Sequence, residues 1–138
     1  MALELYDTSA FARRNHQVVR ASFRNAAMLN EIALCDQVWL EVLHSARNQG
    51  EFRTIRVFLT GFPRRVQDAS QWVRAIDVYE RLAGVGPQHD RSVKHQDLLI
   101  AACAEAHGLT LVHYDADFDT IAAVTGQPMR WLAPRGTL

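Results

Sequence analysis

Short apolar runs, separated by segments of helical period, constrain this chain more than any other feature. Leu3 to Tyr6, Ile32 to Cys35, Leu109 to His113 and Met129 to Leu132 are each as long as a buried strand. Between them apolar residues recur at helical spacing. Val18, Val19, Phe23, Ala26 and Ala27 do so over His16 to Met28, and Val38, Trp39, Val42, Leu43 and Ala46 follow Asp36 as a cap. Glu51 to Leu59 predicts another helix, closed by Gly61 and Pro63. Trp72, Val73, Ile76, Val78, Tyr79 and Leu82 stripe an amphipathic helix over Ala69 to Ala83. Gly84 to Asp90 reads as a loop, about Val93 to His107 as a helix stopped by Gly108, and Phe118 to Thr125 as the last helix. Arg65 and Val66 fit a minimal strand. This alternation predicts an α/β fold: a mainly parallel sheet of about four to five short strands with helices on both faces, a three-layer α/β/α domain. With no repeat or linker, one domain is expected over 1–138.

In such a sheet the strand ends and the helix starts share one edge, and ligands bind in the crevice there. Asp7 follows the first strand. Glu41 lies just inside the helix that Asp36 opens, Asp97 in the early turns of the helix starting near Ser92, and Asp115 after Leu109 to His113. Asp117 and Asp119 come next. Any one of these acids is what a helix cap or dipole partner looks like. Gathered on one edge they repel, by roughly 3 kcal/mol for a pair ~5 Å apart at an effective dielectric of ~20. Protons or a cation must relieve that repulsion. An all-oxygen donor set without cysteine suits Mg²⁺, or Mn²⁺ in its place, better than zinc. Such a centre can activate a water and clamp a phosphodiester. Thr8 or Ser9 supplies the cap of the first helix, and either hydroxyl also stands close enough in sequence to position substrate.

Formal net charge is +0, so no bulk field marks a nucleic-acid binder. The cations are 14 arginines and the single lysine Lys94. Arg13, Arg14, Arg20 and Arg24 form one group. Arg53, Arg56, Arg64 and Arg65, interleaved with Phe52, Phe58 and Phe62, form another. Solvated helix faces are the default reading of both groups, and core or interface that of the phenylalanines; the alternative is that either group tracks RNA phosphates, with the aromatics stacking on bases. Cys35 and Cys103 sit in apolar contexts and read as reduced core residues. The N-terminus has no apolar leader, and the run Leu98 to Ala104 is too short to span a bilayer, so a soluble cytoplasmic protein is expected.

The segments LYDTSAF (Leu5 to Phe11), WLEVLHSAR (Trp39 to Arg47) and HQDLLIAACAEAHGLTLVHYDADFDTIA (His95 to Ala122) resemble the PIN-domain ribonucleases, in particular the VapC toxins of bacterial toxin–antitoxin pairs. The resemblance implies a PIN-like fold and an Mg²⁺-dependent endoribonuclease hydrolysing tRNA, rRNA or mRNA. It implies catalytic Asp7, Glu41, Asp97 and Asp115, with Asp7, Asp97, Asp115 and Asp117 on the metal and Glu41 at the attacking water. It also implies a cognate VapB-type antitoxin, an RNA substrate, pairing with a second copy, and no membrane. Many relatives carry Thr or Ser where this chain has His113, so the hydroxyl contact made there is either replaced, with His113 positioning substrate beside Thr8 and Ser9, or absent, with His113 structural. His95, two residues before Asp97, is a surface or capping histidine unless it faces the site. A housekeeping PIN nuclease shares the fold, but no accessory RNA-binding segment is seen. A receiver-like signalling domain needs a lysine at a late strand end, whereas Lys94 precedes a helix.

Overall fold

A computed structural model of the protein describes residues 2–86 and 92–138. Five strands form the sheet: β1 (Glu4–Tyr6), β2 (Ile32–Cys35), β3 (Arg64–Arg65), β4 (Leu111–His113) and β5 (Met129–Trp131). Their order is β3-β2-β1-β4-β5, and every pairing is parallel. Among the described residues the helices are α1 (Thr8–Phe11), α2 (Arg20–Met28), α3 (Asp36–Leu43), α4 (Gln49–Leu59), α5 (Ala69–Val85), α6 (His95–Ala106) and α7 (Asp117–Thr125). They flank the sheet in the expected three-layer α/β/α arrangement. None is long and apolar enough to cross a membrane.

The central strands read as unbroken apolar runs because helices cover both faces of a parallel sheet. All of β2 and β4 is buried, as are Leu5 and Tyr6 of β1. α6 is sheltered almost all round: every residue from Asp97 to Ala104 is buried. Its small side chains, Ala101, Ala102 and Ala104, let α5 and α7 pack closely against it. Phe11 anchors the other side, meeting Phe23, Phe58 and Phe62 with ring centroids 5.3–6.1 Å apart.

Several boundaries differ from expectation for local reasons. Asp7, not Thr8 or Ser9, caps α1: its Oδ2 accepts from the Ser9 amide at 2.8 Å. Asp36 is the first residue inside α3 instead of its cap, because its carboxylate is taken by the Arg64 guanidinium and the Gln67 amide. α2 starts at Arg20, since His16 Nδ1 accepts from the Val18 amide and holds a turn there. α5 runs through Gly84 to Val85, and the rest of the expected Gly84 to Asp90 loop falls largely outside the described residues. The face that α5 buries holds Gln71, Ala75, Val78 and Leu82. Trp72, Val73 and Ile76 form a second apolar row, each more than half exposed. Cys35 and Cys103 are free and buried, as their contexts indicate.

Candidate active site

The chain steps outward from β1 through β2 to β3, then returns to lay β4 on the other side of β1. That reversal is the topological switch point, where the parallel strands' C-terminal ends open a crevice. The Asp7 amide donates to the Val112 carbonyl at 2.9 Å, which fixes the exit of β1 against β4. Asp7, Glu41, Asp97 and Asp115 line one cleft of about 280 Å³ there, together with Thr8, Ser9, Lys94 and Gln96. Four acids that lie far apart in sequence are thus brought together by strand order.

Two of the cleft acids, Asp97 and Asp115, form with the neighbouring Asp117 a cluster whose carboxylate oxygens all lie within 4.8 Å of one another. Among the described residues this is the one such acidic triplet. The Asp117 amide donates to Asp115 Oδ1 at 2.9 Å, so the turn into α7 orients both acids. Asp7 lies outside the triplet. Its Oδ2 faces Ser9, while its Oδ1 is buried with no hydrogen-bond partner, as is Asp97 Oδ2. Thr8 donates its hydroxyl to Glu41 Oε2 at 3.2 Å and so sets the carboxylate of α3 toward the cleft.

The electrostatics follow from burial and crowding. Burial, then the charges of Asp7 and Asp115, push the Asp97 carboxyl up to about 7. Burial raises Asp7 as well, against the hydrogen bonds from Ser9 that lower it. Glu41 is raised by burial and then by Asp7, and Asp117 by burial and then by Asp115. Two buried carboxylate oxygens without donors, beside an acidic triplet, form a donor set that fits a hard divalent cation. A water or proton can satisfy one such oxygen, but a cation also removes the repulsion that raises these groups together.

Other sequence candidates fall outside this arrangement. His113 lies fully buried at the end of β4, packed on Phe118 and Trp131 with ring centroids 5.1 and 5.0 Å away. Its Nδ1 accepts from the Asp115 amide at 3.3 Å, and burial lowers its pKa, so it is a neutral ring under the Asp115 turn. It does not line the cleft, because β4 turns this side chain toward α7 and β5. The Ser9 hydroxyl accepts from the Tyr114 amide at 2.8 Å, tying α1 to the same turn. His95 packs on Tyr79, centroids 5.4 Å apart, away from the acids. Phe58 and Phe62 belong to the cluster around Phe11, the core role that is the commoner one for such residues, and not to a base-stacking platform. Arg64 is engaged with Asp36 and lies over Trp39. Sequence reasoning missed Lys94 and Gln96 as cleft residues, since nothing in their spacing gives the direction of their side chains.

Residues 5–124 match the family described as the PIN domain. Ribonuclease VapC51 of Mycobacterium tuberculosis is 43% identical over 139 residues, spanning 100% of this chain and 99% of its own. Ribonuclease VapC18 of the same organism is 41% identical over 132 residues, 96% of each. Among solved structures, a chain of DNA-bound VapBC from Salmonella typhimurium superposes with a TM-score of 0.71 at 17% identity, covering 96% of this chain and 100% of that one. A toxin–antitoxin complex from Klebsiella pneumoniae gives 0.68 at 18% identity, covering 94% and 98%. These two likenesses concern the fold. The chain belongs to the PIN-domain family, among the VapC ribonucleases.

Proposed function

We propose that this protein is a Mg²⁺-dependent endoribonuclease, the toxic partner in a toxin–antitoxin pair, acting in the cytoplasm as a single domain over residues 1–138. The observation that carries the reading is the convergence of Asp7, Glu41, Asp97 and Asp115 on one cleft at the switch point of a PIN fold. Asp97, Asp115 and Asp117 would hold the ion, with Asp7, whose Oδ1 has no partner, lining the adjoining cleft. When bound, Mg²⁺ or Mn²⁺ supplies a Lewis acid that polarises the phosphodiester and offsets the clustered negative charge.

The chain's own residues do the rest. Glu41, held by Thr8, takes a proton from the attacking water. Burial and the Asp7 charge raise its basicity, which suits that task. The water oxygen bonds to phosphorus, the bond to the leaving ribose oxygen breaks, and that oxygen takes a proton from solvent while Glu41 releases its own to solvent. Asp7 and Ser9 fix the floor between β1 and β4, and His113 holds the Asp115 turn from below.

Beside the cleft, sharing Thr8 and Glu41 with it, an apolar groove of about 540 Å³ runs between α1, α3 and α4, lined by Phe11, Val42, Ile55 and Phe58. A VapB-type antitoxin segment seated there would cover Glu41, which accounts for neutralisation. The exposed row Trp72, Val73 and Ile76 supports pairing with a second copy of the chain. Incubation of the purified protein with labelled RNA tests the activity: cleavage in Mg²⁺ and its loss in Asp97→Ala are expected. Cleavage by Asp97→Ala at the wild-type rate sinks the site assignment. Growth arrest on expression should be relieved by the neighbouring reading frame, and arrest that persists excludes the toxin role.

A further inference from the structure

The chain's single lysine lines the acidic cleft. Lys94 stands at the N-cap of α6, and its carbonyl accepts from the Asp97 amide at 3.1 Å and the Leu98 amide at 3.3 Å. Its backbone is therefore fixed within one turn of Asp97. Its ammonium lies 3.9 Å from Asp115 Oδ2, beyond hydrogen-bond reach, on a side chain 67% exposed. So loose a pair in water contributes little to folding. Among the described residues lining the cleft, Lys94 is the one cation, set against Asp7, Glu41, Asp97 and Asp115.

An RNA phosphate entering this cleft meets four carboxylates, more negative charge than one divalent ion offsets. An ion held by Asp115 would free the Lys94 ammonium from its loose ion pair. Lysine carries three rotatable donors on a flexible stem, so from this position it can follow a phosphate as the strand seats.

We propose that Lys94 is a catalytic residue that donates a hydrogen bond to a non-bridging oxygen of the scissile phosphate. The assignment rests on the nuclease reading above. Lys94 transfers no proton in this step: it holds the phosphate against the water that Glu41 deprotonates. It also stabilises charge on the phosphoryl oxygens as the bond to the leaving oxygen breaks.

Lys94→Gln and Lys94→Arg, with Arg47→Gln as a control at an exposed charge paired with Glu51, test this. Lys94→Gln should lower kcat/KM on a short single-stranded RNA by about 10- to 100-fold, and Lys94→Arg should recover most of it. Affinity for uncut RNA, read by fluorescence anisotropy in an Asp97→Asn background, should fall, and its log–log salt slope should shrink by about 0.7. Mg²⁺ affinity should be unchanged or tighter in Lys94→Gln, because a positive charge has left the cleft. If Lys94→Gln cleaves and binds like wild type, or like Arg47→Gln, the assignment falls while the nuclease reading stands. A loss that tracks weakened Mg²⁺ binding overturns it too, making Lys94 a brace for Asp115. A wild-type protein that neither cuts nor binds RNA overturns the nuclease reading and this assignment together.

Discussion

Asp97 is buried on α6 among other acids, and its carboxyl is pushed up to about 7 from a usual value of 3.8. A raised carboxylate binds its proton more tightly in the folded state, so its stabilisation is fully present below the unfolded value and is lost as pH rises through about 7. At pH 8 the ion-free protein should therefore be less stable, by on the order of 4 kcal/mol, than if the group stayed neutral. Asp97→Asn should melt at least ~3 °C above wild type in EDTA at pH 8, with the gap closing toward pH 5. Equal gaps at both pH values would show that Asp97 is not the destabilising group. The same variant should lose RNA cleavage, because Asp97 is a proposed ligand of the ion. Glu41→Gln should keep RNA affinity while kcat falls by about 10²–10⁴-fold. A change confined to KM would remove Glu41 from the proton-transfer role.

At the scale of elements, the site depends on how α3 and α6 are held to the sheet. Gln67, just past β3, accepts from the Gln37 amide of α3 at 2.7 Å and donates to the Leu99 carbonyl of α6 at 3.1 Å. One side chain thus bridges the helices that carry Glu41 and Asp97. Gln67→Ala should destabilise the protein by about 1–3 kcal/mol by leaving both groups unpaired. It should also lower kcat more than it raises KM, which steady-state kinetics beside a denaturant melt can check; unchanged kcat with lowered stability would make Gln67 purely structural. Nothing in the sequence around Gln67 marks this role, since the bridge spans about 30 residues on either side. By contrast, most element cores were legible. The runs at Ile32 to Cys35 and Ala69 to Ala83 carry their own period. The first is β2 residue for residue, and the second differs from α5 only by two residues at its C-terminal end; ends moved where capping competed with a side-chain pair, as in α3, where Asp36 is held by Arg64.

For the whole molecule, ion binding and folding are linked. A cation that binds the folded cleft and not the open chain should stabilise the protein by RT ln(1 + [L]/Kd), about 2.7 kcal/mol at a hundredfold excess over Kd. Mg²⁺ or Mn²⁺ should therefore raise Tm in wild type and much less in Asp97→Asn. The gain should be larger at pH 8 than at pH 5, where protons compete for the same oxygens. A Tm indifferent to both ions would remove the metal from this cleft. Thorough chelation should also silence RNA cleavage.

The sequence by itself determined the α/β class, the parallel sheet and the shared edge on which the acids lie. Those follow from local period and from strand-to-helix order, both written in short stretches of chain. Only the tertiary structure decided how the acids are arranged around the cleft. It grouped Asp97, Asp115 and Asp117 tightly, turned Asp7 Oδ1 into a buried atom without a donor, and set Lys94 at the cleft mouth. It also drew His113 into the core, where aromatic packing on Phe118 and Trp131 outweighs any place at the surface. The reason is physical: periodicity fixes which face of an element is apolar, whereas the direction and pairing of a single polar side chain depend on neighbours that the sequence places far away.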